Sequence, residues 1–260
     1  MSTWRVDTLG KKPKLSSPIF IEGLPGIGNV GKVVMDFIVD ELNARKLYEI
    51  TSKTFPHSVF VNEDNLVELP KIEIFYKRCN GHDLLLMGGD VQPIDEVSSY
   101  DFSEKVLDLV GEFNTQEIIT IGGIGLAEIP KKPKVYCTGN SKAMIQRYKS
   151  RNLHSNLYGV VGPIVGVSGL LLGLASRRKV DAIALLAETY DHPMYLGIKG
   201  AREVLKILNE KLSLDININK LEKEIAYIER QIMKRTEELG NVSKKGSLRR
   251  FRKGEVSYIG

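Results

Sequence analysis

Between Glu22 and Lys32 the chain reads Glu-Gly-Leu-Pro-Gly-Ile-Gly-Asn-Val-Gly-Lys, so that Gly26, Gly28 and Gly31 spell GxGxxG. In a dinucleotide fingerprint such glycines let backbone N–H groups reach a pyrophosphate, and an acid about twenty residues later, here Glu49, holds a ribose hydroxyl. The fit is poor. Gly-Leu-Pro separates the apolar run from the first glycine of the pattern, Glu22 would repel a phosphate, and Glu49 falls inside its own apolar run. The same loop spells a Walker A, Gly26-x-x-x-x-Gly31-Lys32, up to its last position, where Val33 replaces the Ser or Thr that ligates magnesium. No Walker B carboxylate stands where it should, since Leu84 to Met87 leads into Gly88-Gly89-Asp90. The plainer reading is a tight strand-to-helix turn in which glycine permits close packing.

Three more glycine groups follow apolar runs: Gly88-Gly89-Asp90, Gly122-Gly123-Ile-Gly125 and Gly162-Pro-Ile-Val-Gly166. Loops that follow the strands of one sheet gather at its carboxyl edge, where open α/β folds place ligands. Gly26, Gly28, Gly31, Gly89, Asp90 and Gly123 are therefore the candidate ligand-loop residues. Acid and base candidates at that edge are Asp90, Glu188, Asp191 and His192. Each has a bland counterpart: Asp90 as a loop cap, His192 before Pro193 as a surface histidine. No nucleophile with an adjacent base is visible, and His57, His82 and His154 lack metal-ligand spacing. No catalytic set, metal or cofactor is expected. Cys79 and Cys137 lie far apart without CxxC spacing and read as buried apolar fillers.

The elements that must position these loops alternate, short apolar runs with helical stretches, which is the pattern of a mostly parallel sheet covered by helices. Strands are expected at Ile19–Glu22, Leu47–Thr51, Ile72–Tyr76, Asp83–Met87, Glu117–Ile121, Lys134–Thr138, Asn156–Val160 and Ala182–Ala187. Helices are expected at Val30–Leu42 and Phe102–Phe113 from their apolar stripes, after an N-cap at Ser141, and at Lys199–Leu212. Three regions follow: an α/β domain over 1–214, a helix over 215–239 and a tail over 240–260. On the helix, Leu221, Ile225, Ile228 and Ile232 form a narrow coiled-coil-like seam, a candidate self-association surface. The tail is too polar to form a core and is expected to order only against a partner.

The chain has 260 residues, 42% apolar and 27% charged, within the globular range, and its formal charge is +5. All of that charge sits from Gly240 onward; residues 1–239 balance 31 basic against 31 acidic side chains. A neutral body argues against nucleic acid as a partner. The longest apolar stretch, Val160–Ala175, is broken by glycines and Pro163 and is shorter than the roughly 20 residues of a membrane span. Met1–Lys14 lacks the apolar core of a secretory signal. No membrane association and a cytoplasmic location are expected.

Five segments in order resemble the proteasome-assembly-chaperone family, the archaeal and bacterial homologues of the second eukaryotic assembly chaperone. They are Phe20-Ile-Glu-Gly-Leu-Pro-Gly-Ile-Gly-Asn-Val-Gly31, Leu85-Leu-Met-Gly-Gly-Asp-Val-Gln-Pro93, Ile121-Gly-Gly-Ile-Gly125, Gly166-Val-Ser-Gly-Leu-Leu-Leu-Gly173, and Leu185-Leu-Ala-Glu-Thr-Tyr190 with Pro193. The resemblance implies a three-layer α/β/α sandwich of nucleoside-phosphorylase-like topology, without catalytic activity. It further implies ATP-independent binding of proteasome α-subunits during ring assembly, and self-association as a homo-oligomer or pairing with a paralogue. Some members end in a hydrophobic residue, a tyrosine and a free choice, which enter pockets of the α-ring. Here Tyr258 stands third from the end, between Val256 and Ile259 as the other apolar tail residues, one place from that pattern. The competing reading is a nucleoside or glycosidic-ligand hydrolase or phosphorylase that uses the sheet-edge glycine loops with Glu188.

Overall fold

A computed structural model describes residues 3–221 and 223 of the chain, except 63, 80, 155, 158, 160, 161, 193 and 194. The chain divides into two compact units, Met1–Ile218 and Asn219–Gly260. The first carries strands β1 (Trp4–Thr8), β2 (Ile19–Glu22), β3 (Arg45–Ser52), β4 (Phe60–Val61), β5 (Val67–Glu68), β6 (Ile72–Cys79), β7 (His82–Gly89), β8 (Glu117–Leu126), β9 (Val135–Gly139), β10 (Leu153–His154) and β11 (Asp181–Tyr190). Its helices are α1 (Val30–Glu41), α2 (Glu96–Gly111), α3 (Lys142–Tyr148), α4 (Val167–Arg177) and α5 (Ile198–Leu212). Nine strands form one sheet in the order β1-β3-β6-β7-β2-β8-β11-β9-β10, and β4 and β5 form a separate ribbon.

Helices cover both faces of the sheet. On one, Phe102, Val106 and Val110 of α2 and Leu171 and Ala175 of α4 share a core with Phe20, Leu85 and Ile118. Residues next to these along the strands, Ile21, Leu86 and Ile119, are equally buried and point to the opposite face, as the two-residue strand period requires. There α1 and α5 pack on each other and on the sheet, burying Val34 and Ile38 of α1 with Val204 and Leu208 of α5. The caps are local. Asp95 accepts from the Ser98 N–H at the start of α2, and Ser141 from the Met144 N–H at the start of α3, which relieves donors that a helix leaves unpaired.

The sheet is mixed, not mostly parallel. β7, β2, β8 and β11 run parallel in sequence, as do β9 and β10, but β1–β3, β3–β6, β6–β7 and β11–β9 are antiparallel. Only residues 80 and 81 separate β6 from β7, and so short a connection closes an antiparallel hairpin, whereas a parallel pair needs a crossover of a dozen or more residues. The strand expected at Asn156–Val160 is also corrected. The short strand is Leu153–His154, paired with Val135 and Tyr136, and the described residues 156, 157 and 159 are outside any strand. At Gly159 φ is +80°, which is incompatible with an extended run. Gly122, Gly123 and Gly125, expected in a loop after a strand, lie inside β8, because β11 pairs with it residue by residue as far as Leu126. Likewise Gly88 and Gly89 are the last residues of β7. Of the cysteines, Cys137 is buried and Cys79 half-buried; both are free thiols.

In the second unit, residues 219–221 and 223 are helical and Leu221 is buried. Ile225, Ile228 and Ile232 of the seam, and Val256, Tyr258 and Ile259 of the tail, lie outside the described residues. Among the described residues no helix is long and apolar enough to cross a membrane.

Candidate functional site

Where β2 and β8 end, the chain borders an open cleft of about 920 Å³. Its walls are the turn after β2, the C-terminal part of β8, the segment leading into α2 and the segment leading into α4. Gly26, Gly31 and Gly123 line it, together with Gly122, Gly125 and Gly166, so most of the glycine groups singled out in the sequence do converge. Two polar side chains tie the walls together. Gln92 donates from Nε2 to the Pro25 carbonyl at 2.7 Å and accepts at Oε1 from the Val167 N–H at 3.4 Å. Glu22, the last residue of β2, is fully buried, accepting the Leu24 N–H at 3.0 Å on Oε1 and the Ser168 hydroxyl at 2.8 Å on Oε2.

Burial raises the Glu22 carboxyl to about 7, because the ionised form loses its hydration, while the two donors pull it back. Its hydrogen bonds join the turn after β2 to the first turn of α4, so the carboxyl sits behind Leu24 and Ser168, which face the cleft. In the sequence Glu22 reads as a group that would repel phosphate. Its isolation between Ile21 and Gly23, at the end of a run otherwise apolar, was the signal for a buried acid.

The other candidates fall elsewhere. Lys32 turns along α1 to Asp36, 3.0 Å away, and does not line the cleft. Gly28, at φ +60°, is packed against Thr189, and its carbonyl accepts the Gly197 N–H at 2.7 Å. Asp90 closes the end of the β6–β7 hairpin: its N–H donates to the Lys71 carbonyl, and its carboxylate accepts the Lys71 N–H at 3.3 Å. Neighbouring Gly89 faces Ile72. Glu188 accepts the Lys134 N–H at 2.9 Å and the Tyr136 hydroxyl at 3.3 Å, which holds β11 to the start of β9 away from the cleft. The His192 ring stacks on Tyr190, His154 lies against Tyr136, and His57 and His82 are exposed. Among the described residues no cluster of His, Cys, Asp and Glu could hold a metal ion.

What the cleft offers is apolar contact. Ile27, Ile94, Tyr100 and Val165 border it with exposed side chains, Ile94 at 72% and Val165 at 83%. Among the described residues the charged side chains lining it are acidic, Asp95 and Glu96. Among the described residues no lysine or arginine lines the cleft, and the Ser168 hydroxyl is committed to Glu22.

A profile of the PAC2 family matches residues 20–236. An uncharacterized protein of Methanocaldococcus jannaschii, MJ1210, is 30% identical over 221 residues, 85% of this chain and 83% of its own length. The crystal structure of Pyrococcus furiosus PbaB, described as an archaeal proteasome activator, matches with a TM-score of 0.82 at 34% identity, over 91% of this chain and 100% of that one. Pyrococcus furiosus PbaA, described as an archaeal homolog of proteasome-assembly chaperone, matches with a TM-score of 0.75 at 24% identity, over 92% and 95% of the two chains; that likeness is one of fold.

Proposed function

The chain belongs to the PAC2 family, and from that premise we propose that it is an ATP-independent, non-enzymatic chaperone that binds proteasome α-subunits in the cytoplasm and assists assembly of their ring. The observation that carries this reading is the family match over residues 20–236, taken with the fold shared with PbaA, described as an archaeal homolog of proteasome-assembly chaperone. The site is in keeping with it. A cleft with an exposed apolar border and without a cation suits a protein surface better than a nucleotide, and Lys32, the cation of the Walker-like loop, is paired with Asp36. In this reading a nucleoside-phosphorylase-like topology serves as a binding scaffold, since a fold does not fix a chemistry.

The description of PbaB favours a second reading, activation of an assembled proteasome. One preparation separates the two. Incubating the protein with separately expressed α-subunits, without nucleotide, and following ring formation by native electrophoresis should show faster assembly. Unchanged assembly with faster peptide hydrolysis by preassembled proteasome would assign activation instead. A thermal shift on adding phosphate, nucleosides or nucleotides would return the chain to the enzymes, because stabilisation grows with ligand in excess of its dissociation constant.

Self-association through Leu221, Ile225, Ile228 and Ile232, and partner docking through Val256, Tyr258 and Ile259, belong to the same proposal. Replacing Ile225 and Ile228 with Asp should lower the mass seen by light scattering if the seam joins subunits, and leave it unchanged if it does not. Tyr258→Ala should weaken α-subunit binding, with the six basic tail residues supplying a salt-sensitive share of the attraction.

A further inference from the structure

β2 stops at Glu22, opposite Thr120, yet β8 continues along β11 to Leu126. From Ile121 to Leu126 the β2-side edge of β8 therefore has no strand partner among the described residues. At a rise of about 3.3 Å per residue, the last three residues of this edge alone span about 10 Å, enough for a short strand. The turn after β2 and the start of α1 already lie on its first half, where the Ile27 carbonyl meets Gly123 and Gly31 meets the Ile121 carbonyl, so the open part is Ile124–Leu126. Gly122, Ile124 and Gly125 are left bordering the cleft, and Gly125 is exposed. An unpaired strand edge is a template for another extended chain.

Three properties restrict what could pair there. The exposed border of Ile27, Ile94, Tyr100 and Val165 favours apolar or aromatic side chains. Asp95 and Glu96 carry the charge of the lining and favour cations over anions. Gly125, exposed, presents backbone without a side chain to obstruct a main chain. We propose that the cleft receives an extended segment of a protein partner, apolar and basic in composition, which adds as a short strand along Ile124–Leu126 of β8, beyond the residues that the turn covers. This rests on reading the chain as a protein binder and identifies the surface that does the binding.

The test uses the full chain, immobilised, and pools of short acetylated peptides of Leu, Val and Tyr with added Lys, Glu or Ser, the retained peptides being read by mass spectrometry. The Lys pool should be retained about tenfold over the Glu pool, and the preference should shrink in Glu96→Gln and at high salt. Retention should fall in the double variant Ile94→Ser, Val165→Ser, whose side chains are exposed and whose replacement leaves the core intact. Methylating the peptide backbone nitrogens should abolish it, because strand addition uses main-chain hydrogen bonds. Equal retention of the pools, no retention of any, retention unchanged by the double variant, or retention of the methylated peptides would overturn the proposal. Capture of α-subunits by the same variants keeps the two claims apart. Intact capture with lost peptide binding removes the cleft and leaves the chaperone; peptide binding without α-subunit capture leaves the cleft and removes the chaperone.

Discussion

Two glycines at the cleft, Gly123 where β8 meets the turn after β2 and Gly162 in the segment before α4, have opposite surroundings. At the start of α1, a Cβ on Gly31 would stand 2.7 Å from the Ile121 carbonyl oxygen, and one on Gly123, the β8 residue that the turn after β2 crosses, 2.2 Å from that of Ile27. In the segment before α4, a Cβ on Gly162 would meet nothing within 4 Å. Gly31 and Gly123 are needed where backbones pack against one another and Gly162 lies at an open surface, whereas Gly166, at the other end of its segment, meets the Gln92 side chain. A glycine pattern that looks like a ligand cradle can therefore be mostly a packing device, with the binding surface next to it.

The sharpest way to break this contrast is to add the missing methyl group. Gly123→Ala should cost about 3 kcal/mol or more, because the obstructing atom is backbone and cannot turn aside. Gly162→Ala should stay within about 0.5 kcal/mol. Denaturant unfolding of the two variants measures both, and equal midpoints would show that the packed segment is not packed.

Glu22→Gln comes next, since Glu22 sits at the base of the packed segment. A carboxyl raised from 4.5 to about 7 favours the folded state when protonated, so its contribution is fully present below about 4.5 and is lost as pH rises through 7. Above that, ionised and buried, it costs up to about 3 kcal/mol at 1.36 kcal/mol per pKa unit. Gln keeps an acceptor for the Leu24 N–H and offers Ser168 a donor, so the variant should gain stability relative to wild type between pH 5 and pH 8. A difference that does not change with pH would place the titration elsewhere.

Lys32→Ala should change least. Its pairing with Asp36 is largely solvent-exposed, and a cation in the first turn of a helix is slightly unfavourable, so the net change should lie within about 0.5 kcal/mol. A large loss of stability would mean that the lysine belongs to the packed segment.

Much of the architecture was legible because its signals are local. Ile19–Glu22 was delimited by Pro18 and Gly23, the stripe of Val30, Val34 and Ile38 marked α1, and Ser141 marked the start of α3. Pairing direction was not legible, since it depends on which distant strands become neighbours. α4 was missed because Val167–Arg177 is apolar around most of its circumference and interrupted by Gly169 and Gly173, which hides the helical period. The trace of β1 was hidden by the mixed residues Trp4–Thr8, which acquire their strand only by pairing with β3. At the site, convergence of the glycine groups could be read from their place after strands. Which glycines would be filled by neighbouring backbone, and that Gln92 and Glu22 join the walls, are facts of tertiary contact.

The central claim is that this scaffold binds proteasome subunits without nucleotide. Its most direct test is capture of separately expressed α- and β-subunits by the immobilised full chain, with and without ATP. The account predicts that α-subunits are retained, β-subunits are not, and ATP makes no difference. Failure to retain α-subunits, or retention only with ATP, would contradict it.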